Sequence, residues 1–169
     1  MPPSRRDALL ASLFTTFALA AATEGDASPI DPTQTIVTLP DKIVWHSGQG
    51  GASGEKAVET AALYGSTDAP GLYYQLVRWY PGYMSGPHMY DTDRLCVVVS
   101  GVWWVNSGQD FDPANTVPCP AGTFIHRVAH TWHYDGVKRD GTMPATIAIC
   151  GMGPNNPKFL DPKGGVKRV

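Results

Sequence analysis

Short runs of β-branched and aromatic residues recur along the chain, and turn-forming glycine, proline and asparagine separate them. The pattern favours a helix only at Gly54–Tyr64, and only a short one. Many short strands separated by such turn-forming residues indicate an all-β sandwich or barrel. Strands are predicted at Thr35–Leu39, Ile43–His46, Leu72–Tyr80, Leu95–Asn106, Thr123–Val128, Thr131–Tyr134 and Thr146–Cys150.

The amino-acid composition supports an all-β fold and argues against a nucleic-acid partner. The 18 glycines and 15 prolines favour a turn-rich β-protein, and a hydrophobic content of 43% is enough for one core. The formal net charge of −2 provides no basic surface for a polyanion. We therefore expect no nucleic-acid partner.

Residues 1–22 have the layout of an export signal. Arg5 and Arg6 precede an apolar run, Ala8–Ala20, which ends in small residues typical of a cleavage site. The run is too short, and too interrupted by threonine, to predict a membrane span. The arginine pair suits a twin-arginine signal as well as a Sec signal, and both stay open. We expect a periplasmic or secreted protein with no membrane contact after signal removal.

The rest of the chain has the length of one domain. We expect a flexible lead-in at residues 23–34, a barrel at residues 35–153 and a polar, solvated tail at residues 154–169. Cys119 and Cys150 could form a disulfide in an oxidising compartment, with Cys96 buried. Three free thiols are the alternative.

Gly82–Gly101, GYMSGPHMYDTDRLCVVVSG, has an informative spacing. It consists of glycine, five residues, His88, one residue, Tyr90, three residues, Arg94, six residues and glycine. This spacing resembles the first motif of the cupin superfamily, G-(x)5-H-x-H-(x)3,4-E-(x)6-G. Tyr90 stands in place of the second histidine and Arg94 in place of the glutamate.

A second segment supports the resemblance. From Gly122 the chain follows the register of the second cupin motif, G-(x)5-P-x-G-(x)2-H-(x)3-N, and keeps the first glycine and the histidine, His133. The turn-rich segment Asn106–Pro120 separates the two motifs. The resemblance, which covers roughly residues 65–152, implies a single-domain double-stranded β-helix, or jelly-roll barrel.

The resemblance also implies a divalent transition metal, held in cupins by three histidines and a carboxylate. The positions that are kept supply His88 and His133, and His126 is the candidate for a third ligand. Strand alternation does not decide the direction of His126 across a turn. Tyr90 could be a weak fourth ligand. Imidazole ligands suit Fe, Zn or Ni, and a carboxylate-rich site suits Mn. Alternatively, the metal is lost and the two histidines are hydrogen-bonded pocket residues.

Side chains alternate between the faces of a strand, which predicts a polar pocket. If His88 and His133 point inward, Cys96, Val98 and Asp135 do so as well, whereas Leu95, Val97 and Val99 do not. At most one of Trp103 and Trp104 can line the interior. The predicted pocket residues are His88, Tyr90, Arg94, Thr131 and His133.

Arg94 has two interpretations, because a guanidinium that points inward must find a partner. It could hold a substrate carboxylate or phosphate through two hydrogen bonds. It could instead form a salt bridge with Asp91, Asp93 or Asp135.

These features predict a metal-dependent enzyme that acts on a small organic molecule, with dioxygenase, lyase or isomerase chemistry. Arg94 and Tyr90 are the candidate catalytic residues: Arg94 would orient an anionic group, and Tyr90 would give or take a proton. The alternative is a metal-free protein that binds a small carboxylate or saccharide. The resemblance further implies a homodimer, since cupins often dimerise.

Overall fold

The computed structural model describes residues 30–48, 55–163 and 165–169. The predicted export signal lies outside these residues, so export stays a prediction. The chain divides into one unit that ends at Val37 and a second that runs from Thr38 to Val169. In the first unit, Asp31 accepts hydrogen bonds of 2.9 and 2.7 Å from the backbone and hydroxyl of Thr33. In the part of the chain that is described, no helix has the length and apolar content needed to cross a membrane.

The second unit consists of short strands and two one-turn helices, Pro40–Lys42 and Pro113–Asn115. Its strands in the described residues are β1 (His46–Ser47), β2 (Val58–Tyr64), β3 (Gly71–Trp79), β4 (Tyr83–Ser85), β5 (His88–Met89), β6 (Arg94–Ser100), β7 (Val102–Ser107), β8 (Val117–Pro120), β9 (Phe124–Arg127), β10 (His133–Val137), β11 (Ala145–Gly153), β12 (Lys158–Phe159) and β13 (Val166–Arg168).

The strands form two antiparallel sheets. The first sheet has the order β1-β2-β3-β11-β6-β9, and the second has the order β12-β5-β10-β4-β13, with β7 paired to β10 and β8. Strands adjacent in a sheet are thus mostly distant in sequence, as in a jelly roll. This architecture confirms the predicted all-β, double-stranded β-helix.

The core lies between the sheets. Strand β6 illustrates how alternating residues face this core. Arg94, Cys96 and Val98 on this strand are buried, whereas Leu95 and Val97 are exposed. The strict alternation confirms the predicted register past the turn that follows His88. The other large buried apolar residues of the core are Tyr73, Val77, Trp79, Tyr83, Trp103, Val137, Ile147 and Ile149.

Three local predictions need correction. Residues Val58–Tyr64 form strand β2, where the sequence favoured a helix, because they pair along β3 and bury one face. Residues 35–39 form no strand. The tail predicted to be solvated contains β12 and β13, which pair with β5 and β4 and so extend the second sheet.

All three cysteines, which lie in the described residues, are free thiols. Cys96 and Cys119 are buried, and Cys150 is half-buried on β11. The bridge between Cys119 and Cys150, one of the two alternatives left open by the sequence, is therefore not formed. The alternative of three free thiols is the one observed.

Glycines of both motifs form the turns that bring strands together. Gly101, between β6 and β7, has a φ of 73°, and Gly122, between β8 and β9, has a φ of 89°. L-residues with a side chain rarely adopt this left-handed backbone. At Gly101 a Cβ would also meet the Pro144 carbonyl oxygen and the Ala145 Cα, whereas the space at Gly122 is open.

This contrast predicts that Gly101→Ala destabilises the fold more than Gly122→Ala. Both variants place a Cβ in left-handed backbone, which costs about 1–2 kcal/mol. The steric conflict with β11 at Gly101 adds a further cost of about 1–3 kcal/mol. Urea denaturation of the two variants measures the free energy of unfolding. Equal losses would contradict the close approach of β11 to the turn at Gly101.

Candidate metal and ligand site

The site is built on the pairing of β5 with β10. His88 and His133 are direct cross-strand partners, and their ring centroids lie 4.4 Å apart. Both residues are buried, at 4% and 2% exposure. The histidines of the two motifs, which are distant in sequence, thus lie next to each other inside the barrel.

Backbone carbonyls fix the orientation of both rings. The Nδ1 of His88 lies 2.9 Å from the Gly86 oxygen, and the Nδ1 of His133 lies 2.9 Å from the Thr131 oxygen. A carbonyl only accepts hydrogen bonds, so each Nδ1 is the donor. In a neutral ring the lone pair is then on Nε2, which is the arrangement of a histidine metal ligand. The Nε2 of His133 is buried and has no hydrogen-bond partner among the described residues.

The environment keeps both imidazoles neutral. Burial lowers the pKa of His88 below its ordinary value. Burial, together with the neighbouring His88 and Arg127, lowers the pKa of His133 to about 3. Near pH 7 both Nε2 atoms therefore carry a lone pair available to a metal or to a hydrogen-bond donor.

Asp135 adds a carboxylate to this pair. It lies two residues after His133 on β10, so it faces the same side, and ligand atoms of His88, His133 and Asp135 lie within 4.8 Å of one another. Trp103 donates to its Oδ1 at 3.2 Å and Arg127 donates to its Oδ2 at 3.3 Å. Burial is the largest single effect and would raise the pKa of Asp135, but the neighbouring cationic groups, Arg127 first among them, together outweigh it, and the pKa lies below the ordinary value.

Tyr90 and Arg94 lie beside the histidines. The Tyr90 ring is 5.2 Å from that of His88 and 5.8 Å from that of His133, and the Arg94 guanidinium lies over it at 4.0 Å. Burial raises the pKa of the Tyr90 phenol, although Arg94 acts in the opposite direction. Tyr90 is thus protonated near neutral pH and is a hydrogen-bond donor, not a phenolate ligand.

His88, Tyr90, Arg94 and Asp135 open onto a cavity of about 460 Å³ between the sheets. Its volume is in the range of small-molecule sites. Polar groups on its wall include Ser85, His88, Tyr90, Arg94, Arg127 and Asp135, and the apolar wall includes Val58, Val77, Trp79, Trp103, Ile147 and Ile149. The predicted tail also lines the cavity, through Phe159, Pro162, Lys163, Gly165 and Val166. Phe159 stacks on His88 with ring centroids 5.5 Å apart.

The structure does not bring His126 to the site. It alternates with the buried Arg127 on β9, so its side chain is on the outer face, where its Nε2 lies 2.8 Å from the Asp93 carboxylate. Asp135, and not His126, completes the group with His88 and His133, which corrects the expected third ligand. Thr131 is exposed as well, and contributes its carbonyl alone.

The sequence had placed Asp135 inside without assigning it to a metal, and had overlooked Arg127. The alternation of Ile125, His126 and Arg127 on β9 could have identified Arg127, but only if the face of one of them were known. The tryptophan pair behaves as predicted: Trp103 is buried against the cavity, whereas Trp104 lies under Lys138, 4.1 Å from its amine.

Several solved structures have a fold similar to that of this chain. The polyketide cyclase RemF from Streptomyces resistomycificus has a TM-score of 0.60 and 12% identity, with 75% of this chain and 86% of that chain covered. A cupin-2 domain protein from Rhodospirillum rubrum has a TM-score of 0.56 and 11% identity, with 79% and 85% covered. The DMSP lyase DddQ from Ruegeria pomeroyi DSS-3 has a TM-score of 0.55 and 13% identity, with 72% of this chain covered.

The chain spans 63% of the length of that lyase. No family model and no curated protein sequence gives a significant match. At these identities the likeness concerns the fold. The protein therefore has the cupin fold that its motif spacing predicts.

The low pKa of His133 predicts a loss of stability in acid. Its folded pKa of about 3 is below the ordinary value of 6.5, so between these values the unfolded chain binds more protons than the folded chain. The free energy of unfolding should therefore decrease as the pH falls below about 6.5, by up to about 1.4 kcal/mol per pH unit from this residue.

Urea denaturation of the chelator-treated protein between pH 4 and 7, beside His133→Gln, measures this effect. We expect a shallower dependence on pH in the variant, since the contribution of His133 is removed. Parallel curves would show that His133 is not held neutral by the fold.

Proposed function

We propose that the protein is a metal-dependent enzyme that acts on a small organic molecule within the cupin barrel. The observation that carries this proposal is the set of donors formed by His88, His133 and Asp135. The imidazoles of His88 and His133 are neutral and fixed through Nδ1, and the Nε2 of His133 is buried and has no partner among the described residues. With ligand atoms of Asp135 and both histidines within 4.8 Å of one another, this donor set could hold a divalent transition metal.

The hydrogen bonds around Asp135 also suit a metal ligand. Trp103 and Arg127 each donate to one oxygen of Asp135, which orients the carboxylate and leaves further lone pairs on it. Iron, manganese, zinc or nickel would suit this mixed nitrogen and oxygen set. When bound, the ion would supply Lewis-acid chemistry, polarising an oxygen of the substrate.

The chain's own residues would bind and orient the substrate. The apolar wall accommodates the body of a small molecule and excludes water from the reacting groups. Tyr90, protonated and within 5.2 Å of the His88 ring, is placed to donate a proton to a developing oxyanion or carbanion. An isomerase uses such a donor to return a proton to a carbanion, and a lyase can use it to protonate the leaving group after a base has removed a proton. Among proteins of this fold, a DMSP lyase and a polyketide cyclase are enzymes.

A second candidate function is a metal-free protein that binds a small carboxylate or saccharide. It is favoured by the ion pair between Asp135 and Arg127, because the carboxylate already has a buried cationic partner at 3.3 Å. In this case the Nε2 atoms of His88 and His133 would accept hydrogen bonds from the ligand. Metal binding distinguishes the two functions.

Metal binding tests the proposal directly. Chelator-treated protein is dialysed against Mn²⁺, Fe²⁺, Zn²⁺ or Ni²⁺, and bound metal is measured by elemental analysis. We expect about one equivalent of one of these ions, and a loss of at least about 100-fold in affinity in His133→Ala, because removal of a direct ligand costs more than removal of an outer partner.

His126→Ala is the matched control, since His126 lies on the outer face against Asp93. It should bind metal like the unaltered protein. Metal affinity equal in His133→Ala and the unaltered protein, or no stoichiometric metal in either, would refute the metal-dependent function. The second outcome would favour the binding function.

A further inference from the structure

Two arginines lie side by side in the interior. Arg94 on β6 and Arg127 on β9 are direct cross-strand partners, and each is only 7% exposed. A guanidinium keeps its charge at any physiological pH. Two such charges in a water-poor interior repel each other, so each requires an anion or a comparable partner.

Arg127 has its anion. Its Nη2 donates to Asp135 at 3.3 Å, and its Nη1 donates to the Asn106 carbonyl at 3.3 Å. This pair satisfies one of the two buried cations. The same pair occupies Asp135, the one buried carboxylate among the described residues of the cavity wall, so Asp135 does not form a salt bridge with Arg94.

Arg94 has no anion among the described residues. The three aspartates expected as its partners pair with other groups: Asp91 lies 2.8 Å from Lys158, Asp93 lies 2.8 Å from His126, and Asp135 pairs with Arg127. The Arg94 guanidinium packs on the face of Tyr90, and its Nε is buried without a hydrogen-bond partner. The contact with an aromatic ring attracts the charge but does not satisfy the Nε–H donor of Arg94.

We propose that Arg94 binds the carboxylate of a small amphipathic acid that occupies the cavity. The buried wall groups carry two guanidinium charges against one carboxylate, and the exposed Lys163 also borders the cavity, so the cavity complements an anion. A guanidinium presents paired donors that match the plane of a carboxylate. Val77, Trp79, Ile147 and Ile149 form an apolar surface for the body of the acid. The inference names the substrate class of the proposed site, and to that extent rests on the proposed function.

Substitution of the two arginines gives opposite effects on stability if this inference holds. Arg94→Met removes, at similar volume, a buried charge that forms no salt bridge among the described residues, so the ligand-free protein should unfold several degrees higher. Arg127→Met leaves Asp135 buried and unpaired, and should unfold about 10 °C lower. The two positions are equally buried and adjacent, so the pair is a matched control for the loss of a large side chain.

Binding is measured with defined acids in the presence of EDTA. Benzoate, phenylacetate and hexanoate are compared with their neutral amides and with inorganic phosphate, at constant ionic strength. Quenching of the fluorescence of Trp79 and Trp103, which line the cavity, and the shift in unfolding temperature are the readouts. We expect at least one carboxylate to bind, its amide not to bind, and Arg94→Met to raise the dissociation constant by about 10- to 100-fold.

Three outcomes would overturn the inference: no carboxylate acts more strongly than its amide, phosphate acts more strongly than every carboxylate, or Arg94→Met lowers both stability and binding. The last would make Arg94 a structural residue. Because EDTA is present, these results do not depend on a metal. Failure of metal binding would remove the proposed enzyme and leave a carboxylate site, whereas failure of carboxylate binding would leave the metal site intact.

Discussion

The ion pair of Asp135 with Arg127 makes the polar interior of this barrel possible. A carboxylate or guanidinium alone between two apolar sheets would cost several kcal/mol, and mutual attraction offsets that cost when further hydrogen bonds complete the pair. Trp103 and the Asn106 carbonyl provide those bonds. With Asp135 held in this way, its carboxylate stays ionised and within reach of His88 and His133. The pair thus joins the two sheets electrostatically at the point where the candidate chemistry lies.

The two sheets divide the polar groups between them. The metal-ligand candidates lie on β5 and β10 of the second sheet, whereas both arginines lie on β6 and β9 of the first. In the cupin motif the carboxylate ligand belongs to the position of Arg94. Here a cation occupies that position, and the carboxylate comes from β10 across the barrel. A molecule in the cavity therefore faces the histidine and carboxylate groups of the second sheet on one side and the guanidinium groups of the first sheet on the other.

The fold could be predicted from the sequence because its determinants are local or periodic. Motif spacing and the turn glycines located the barrel, and alternation along β6 assigned Arg94, Cys96 and Val98 to the interior. Residues 58–64 were misassigned because alanine and glutamate favour a helix locally, while the pairing with β3 that overrides this preference is a long-range contact. The tail was misassigned because its lysines and glycines resemble a solvated end, although their backbone extends a sheet.

The candidate site was only partly predictable, because one residue of register decides which side chain on β9 enters the barrel. His126 was the predicted ligand because imidazole is a common metal ligand, but in the pairing of β9 with β6 Arg127 lies inside the barrel instead.

Strands β12 and β13, near the end of the chain, contribute Phe159 and Val166 to the cavity wall. The wall closes only after this late segment has been synthesised and paired. Variation within residues 156–168 could therefore change what the cavity accepts while the donors on β5 and β10 stay the same, which separates the evolution of selectivity from that of chemistry.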